Sequence, residues 1–196
     1  MSPTGPVAGL SADDVAIVSE QLGRDARGVV AVAHRCSCGL PDVVETAPRL
    51  PDGTPFPTLF YLTCPRAASA IGTLEAQGVM REMQERLTID PELAAAYRDA
   101  HLDYLGRRES VEEVAQIRGI SAGGMPSRVK CLHVLVAHAL AVGPGVNPLG
   151  DEALALLGDW GAHGRCVPRE SAPGDGVTGD RPPSDGARGD GTPDAR

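Results

Sequence analysis

Aromatic residues make up only 3% of this 196-residue chain, and Lys130 is its only lysine. The first shortage means that a core must be built from Ala, Val, Leu and Ile, which the 42% apolar fraction supplies. The second, with a net charge of −8 and no block of basic residues, excludes a general nucleic-acid binder, because holding a polyanion draws on grouped Lys and Arg. No run approaches the ~18 apolar residues that a membrane-spanning helix needs. Met1 to Leu10 also lacks the basic-then-apolar order of a secretory signal. The expectation is a cytoplasmic protein without a membrane partner. Thiols stay reduced in that compartment, and grouped cysteines there bind metal or do chemistry more often than they form disulfides.

The bias towards Arg, Ala, Gly and Pro suggests a GC-rich genome. The length fits one domain, expected over 11–160, between a flexible leader (1–10) and a disordered tail (161–196). The tail reading is compositional: from Gly164 onward the chain is mostly Gly, Pro, Asp, Ser and Arg, which bury too little surface to offset the entropy of ordering.

Ser11 caps a short helix with Asp13 and Asp14 in its first turn. Val29 to His34, Asp42 to Thr46 and Thr58 to Thr63 read as strands, and their short connections predict an antiparallel sheet. Cys64-Pro65 opens a helix that stops at Gly78. Another follows over Val79 to Leu87, and Asp90-Pro91-Glu92 starts a third. Ser110 and Glu113 spell a capping box for a short helix through Ile117. After the glycine-rich stretch Gly119 to Pro126, Ser127 is expected to cap an apolar central helix running to Val142, and Asp151 to cap a last one ending near Trp160. The fold class is therefore α+β: a small three-stranded antiparallel sheet packed against five to seven helices, with helix 127–142 at the centre.

Several landmarks occur in a distinctive order: Arg35-Cys36-Ser37-Cys38-Gly39-Leu40-Pro41, then Phe56-Pro57-Thr58 through Thr63-Cys64-Pro65, then Gly123-Gly124, Val129-Lys130-Cys131-Leu132-His133 and His138. In these the sequence resembles the domain of unknown function 501 family, in its actinobacterial form, over roughly residues 12 to 158. The resemblance implies a folded bacterial cytoplasmic protein with no established activity. Genes of that kind neighbour a septum-formation protein, enolase and an exopolyphosphatase-like phosphatase, which implies a link to division or phosphate metabolism. The family's recurring cysteines correspond to Cys36, Cys64 and Cys131. Cys38 stands where many members carry another residue, and Cys166 matches nothing.

Three chemical readings follow from the residues. The first is a site for zinc or an iron–sulfur cluster, because thiolates and imidazoles suit both. Cys36, Cys64 and Cys131 supply three ligands. Cys38 or His34 is the better fourth on strand periodicity, which puts His34, Cys36 and Cys38 on one face. Cys131 and His133 would diverge by about 200° on a regular helix. The second reading is a Cys64 nucleophile at a helix start, with His133 or His138 as base. The third is an anion site at Gly123, Gly124, Arg128 and Lys130, where a glycine loop meets a helix N-terminus. Against all of them stands the plain alternative of buried structural thiols. A separate class of function is a non-catalytic interaction module linked to cell division or phosphate metabolism, with a division-related protein partner.

Overall fold

The computed structural model of the chain describes residues 10–162 and 164–167. The expected leader, short of Leu10, and the expected tail from residue 168 lie outside them. The architecture is α+β: a three-stranded antiparallel sheet, six α-helices and one 3-10 turn among the described residues.

Helix α1 (Ala12–Leu22) starts on a reciprocal capping box between Ser11 and Asp14 and ends at Gly23 in the left-handed region. Asp14 also takes both terminal nitrogens of Arg35 at 2.9 Å, tying α1 to the end of strand β1 (Val29–Arg35). Burial raises the Asp14 carboxyl, but the Arg35 hydrogen bonds outweigh it and hold the group below its ordinary range. Strand β2 (Pro41–Thr46) is central in the order β1-β2-β3, with β3 (Phe60–Leu62) on its other side. Both pairings are antiparallel, as the short connections require.

Helix α2 (Pro65–Ala76) has Cys64 as its N-cap and Pro65 in its first turn. Helices α3 (Val79–Ile89) and α4 (Pro91–Val111) follow, α4 capped by Asp90. The last helices, α5 (Leu132–Val142) and α6 (Pro148–Leu157), cross closely. A Cβ added to Gly150 would stand 2.3 Å from the Leu135 carbonyl oxygen, so only glycine permits this approach. Helix α5 packs against the sheet and buries Leu132, Leu135, Val136, Ala137, His138 and Ala139. It is the central helix that its apolar sequence predicts.

Three local expectations do not hold. Ser110 lies inside the last turns of α4, and only a 3-10 turn forms over Ala115–Ile117. The central helix starts at Leu132 rather than after Ser127, because the preceding backbone is used elsewhere. Arg128 and Lys130 donate their N–H groups to the Gly124 and Gly123 carbonyls, and Val129 donates to the Gln84 side chain. Asn147, not Asp151, caps α6.

Arg107-Arg108 reads in the sequence as the basic end of a helix, where it suits the dipole, and Arg108 lies in the last turn of α4. It is also only 1% exposed, and its guanidinium donates to the carbonyls of Pro57, Ile117 and Ile120. The β2–β3 and α4–α5 connections thereby converge on one planar fork, whose donor geometry an ammonium cannot reproduce. The Ile117 carbonyl also accepts the Ile120 N–H, but Arg108→Ala removes the guanidinium from the Pro57 and Ile120 carbonyls and is expected to cost roughly 3 kcal/mol or more. Arg108→Lys should recover little of it. Urea unfolding of the two variants checks this, and a loss within about 0.5 kcal/mol contradicts it.

Candidate metal centre

Strand β1 ends at Arg35, so Cys36 and Cys38 sit in the hairpin turn rather than on a strand face. The Cys36 N–H donates to the Leu40 carbonyl and the Gly39 N–H to the Cys36 carbonyl. Gly39 holds φ at 85°, a conformation that favours glycine. The Cys38 N–H points back at the Cys36 sulfur, 3.5 Å away. The turn thus presents two sulfurs two residues apart.

Cys64 reaches the same point from the start of α2, and Cys166 from beyond the expected end of the domain. The Cys166 Sγ lies 3.1 Å from Cys64 Sγ, 3.4 Å from Cys38 Sγ and 3.5 Å from Cys36 Sγ. The sulfurs of Cys36, Cys38 and Cys166 all lie within 4.8 Å of one another, a geometry that can hold a metal ion. All five cysteines are free thiols. Cys36, Cys64 and Cys166 are buried and Cys38 is half-buried.

The segment after α6 is fastened over this turn. Asp159 accepts from the Ser37 hydroxyl at 2.8 Å and from the Gly161 N–H at 2.9 Å, and Arg66 donates to the Gly164 carbonyl at 3.0 Å. Gly161 is needed here for space: a Cβ would stand 2.6 Å from the Cys36 sulfur. Cys166 and Val167 are both buried in the core. Cys166 was assigned to the tail on composition, which offers no periodicity to mark a segment held by a few side chains. Its thiol beside Val167, six residues past Trp160, is the only signal available.

The thiols affect one another. Burial pushes the Cys166 thiol far up, and its three sulfur neighbours push it further. Burial also raises Cys36. Cys38 is subject to the same burial, but N–H groups from Leu40 and Cys166 outweigh it and bring the thiol down.

The other residues singled out in the sequence lie elsewhere. His34 turns its Nδ1 to the buried Asp42 carboxylate at 2.7 Å. Cys131 does not join the other sulfurs. It is the N-cap of α5 with extended backbone (φ −160°), and it is half-buried beside His133 and Glu75. Glu75 is 11 residues along α2 from Cys64, about 16 Å at the helical rise. Because Cys131 precedes the helix, the 200° argument does not apply, and Cys131 and His133 come together. No hydrogen bond joins Cys64 to His133 or His138 among the described residues. His133 contacts Glu75 and the Ala68 carbonyl, and His138 contacts Asp103 and Asn147.

The glycine loop closes on itself. A Cβ on Gly124 would stand 2.7 Å from the Arg128 carbonyl oxygen, and one on Gly123 would press on Val134 and Leu135. These glycines therefore serve packing. Arg128 and Lys130 precede α5 rather than lying in its first turn. The first N–H of α5, from Leu132, already donates to Glu75 at 2.7 Å. That carboxylate stands where an anion would sit.

Fold and site together define an α+β protein with a buried sulfur cluster of metal-holding geometry. The family model described as a protein of unknown function (DUF501) matches residues 32–155, and the chain belongs to that family. The match includes Cys36, Cys38, Cys64, Glu75, Cys131 and His133 and stops before Cys166. No curated protein and no solved structure matches the chain. No helix among the described residues is long and apolar enough to cross a membrane.

His138, a candidate base in the sequence, serves the core. It is wholly buried, stacks on Phe60 with ring centroids 5.9 Å apart, and meets Tyr104 edge-on. Burial lowers its pKa more than the nearby Asp103 raises it. The neutral ring then donates from Nε2 to Asp103 at 2.9 Å and accepts the Asn147 amide at Nδ1, 3.2 Å away. Because the folded pKa is depressed, the unfolded chain gains a proton first as pH falls below about 6.5. Stability present above that pH is lost on acidification. The stability gap between the wild type and His138→Gln should narrow from pH 7.5 to 5.5 in paired urea titrations; a constant gap contradicts this.

Proposed function

We propose that the protein binds one metal ion through Cys36, Cys38, Cys64 and Cys166, and that this ion is zinc. The observation that carries the reading is the position of the Cys166 sulfur, 3.1–3.5 Å from three other sulfurs. Those separations far exceed the ~2.05 Å of a disulfide bond. These three edges, all from Cys166, approach the ~3.8 Å edge of a tetrahedron with metal–sulfur bonds of about 2.3 Å; Cys36, Cys38 and Cys166 already lie within 4.8 Å of one another, and Cys64 joins them through Cys166. Ligands for a four-iron cluster must surround a much larger object, so a single tetrahedral ion suits the spacing better.

The chemistry agrees. Four neighbouring thiols, three of them buried, do not readily ionise together, whereas a dication at their centre reverses that preference and deprotonates its ligands. The Cys38 N–H aimed at the Cys36 sulfur would steady a bound thiolate. With four sulfurs and no open position the site is of the structural kind. It would fasten the C-terminal segment to the hairpin and to α2. A reducing cytoplasm is the setting that this reading supposes.

Elemental analysis of untagged full-length protein, purified without chelator, should find zinc. Cobalt in its place should give the intense sulfur-to-metal absorption of a four-thiolate site. Cys36→Ser and Cys166→Ser should abolish that absorption, and Gly161→Ala, which crowds the Cys36 sulfur without removing a ligand, should weaken it. Protein without bound metal, and without such absorption when cobalt is supplied under anaerobic conditions, overturns the proposal.

A further inference from the structure

A second group of ligating side chains lies at the far end of α2. The Cys131 sulfur, an imidazole nitrogen of His133 and a carboxylate oxygen of Glu75 lie within 4.8 Å of one another. We infer that these three residues form a second divalent-metal site, best matched to zinc, with one coordination position open to water or a small anion.

The one separation given between two of these ligands fits shared coordination. His133 Nδ1 stands 3.3 Å from Glu75 Oε1. A charge-assisted N–H···O bond closes to about 2.7–2.9 Å. Two N and O ligands on one tetrahedral zinc, each about 2.0–2.1 Å from it, are separated by roughly 3.3–3.4 Å. The surroundings supply the supports that such ligands need. The other ring nitrogen of His133 faces the Ala68 carbonyl at 3.3 Å, so its N–H can fix the ring while Nδ1 faces inward. Glu75 Oε1 accepts the Leu132 N–H at 2.7 Å, which holds the carboxylate in place and leaves a lone pair free.

The ligand set is a thiolate, an imidazole and a carboxylate, a mixture that zinc accepts. Three protein ligands and no fourth is the pattern of sites whose metal works on something else. Exposure agrees. The side chains of His133 and Glu75 are 33% and 23% exposed, and Cys131 is half-buried, so the missing corner can face solvent. The four-sulfur cluster has no such corner. A metal here would polarise a bound water or the oxygen of an incoming anion.

This inference does not depend on the four-sulfur reading, and one experiment separates them. Cobalt is titrated into the as-purified full chain under anaerobic conditions and followed by absorption. The expected result is one further equivalent, with tetrahedral bands and only the weak charge transfer of a single thiolate. Cys131→Ser, His133→Ala and Glu75→Gln should each weaken that binding by at least about tenfold. A single-thiolate signal without any four-thiolate signal would overturn the four-sulfur proposal and support this one. Added cobalt that stays octahedral and unbound overturns the inference. So does alkylation of Cys131 by iodoacetamide at one fast rate with or without zinc, which would mark a thiolate–imidazolium pair instead.

Discussion

The meeting of Cys166 with the sulfurs of Cys36, Cys38 and Cys64 fixes three otherwise separate pieces of the chain: the β1–β2 hairpin turn, the start of α2 and the segment after α6. Asp159 to Ser37 and Arg66 to Gly164 are exposed polar bonds, and bonds of that kind contribute little net stability in water. Cys166 and Val167 pack into the core. Without something at the centre of the four sulfurs, the segment would be held by these side chains and by Trp160, which packs against the core from the start of the segment. A metal–thiolate cross-link there would contribute far more than that burial, because binding free energy becomes folding free energy when the site does not exist in the unfolded chain.

How much of this was legible in the sequence follows from what each element depends on. The three strands and the starts of α1, α2 and α4 are local matters of caps, prolines and β-branched runs, and they stand within a few residues of where those signals put them. The start of α5 is not local. Residues 127–130 have helical-looking composition, but their N–H groups are taken by Gly123, Gly124 and Gln84, and Glu75 caps the true first turn from another helix. Those partners lie up to 57 residues away in sequence, and no propensity encodes them. The site divides in the same way. Cys36, Cys38 and Cys64 stand out because they fall at turns and helix starts. Cys166 sits in a composition that argues for disorder, and Glu75 looks like an ordinary surface acid near a helix end.

Arg108 shows the same limit from the side of stability. A doublet of arginines near a helix end reads as charge suited to the helix dipole, yet one of the two ties two connections together from inside the protein. The carbonyls it satisfies come from residues 57, 117 and 120, in connections outside the α-helices and the sheet. Loops that pass under the surface need such a partner, since their buried carbonyls have no ladder to join. The many glycines and prolines that make these loops also create the need for a fork of donors.

Helix α2 connects the two ligand groups. Cys64 is its N-cap, and Glu75 lies in its last turn. A straight α-helix of this length is stiff, so fixing one end in the sulfur cluster also fixes where the other end can be. Glu75 in turn places the first N–H of α5, and through it Cys131 and His133. The two groups differ in the way their surroundings differ. The sulfur cluster is buried and ringed by four like ligands, which suits an ion that never leaves. The Glu75–Cys131–His133 group is part-exposed and mixed, which suits an ion that must keep one position for a visitor. A helix that carries one ligand of each kind gives a rigid reason why the structural end and the working end of such a protein would be built about 16 Å apart rather than on separate loops.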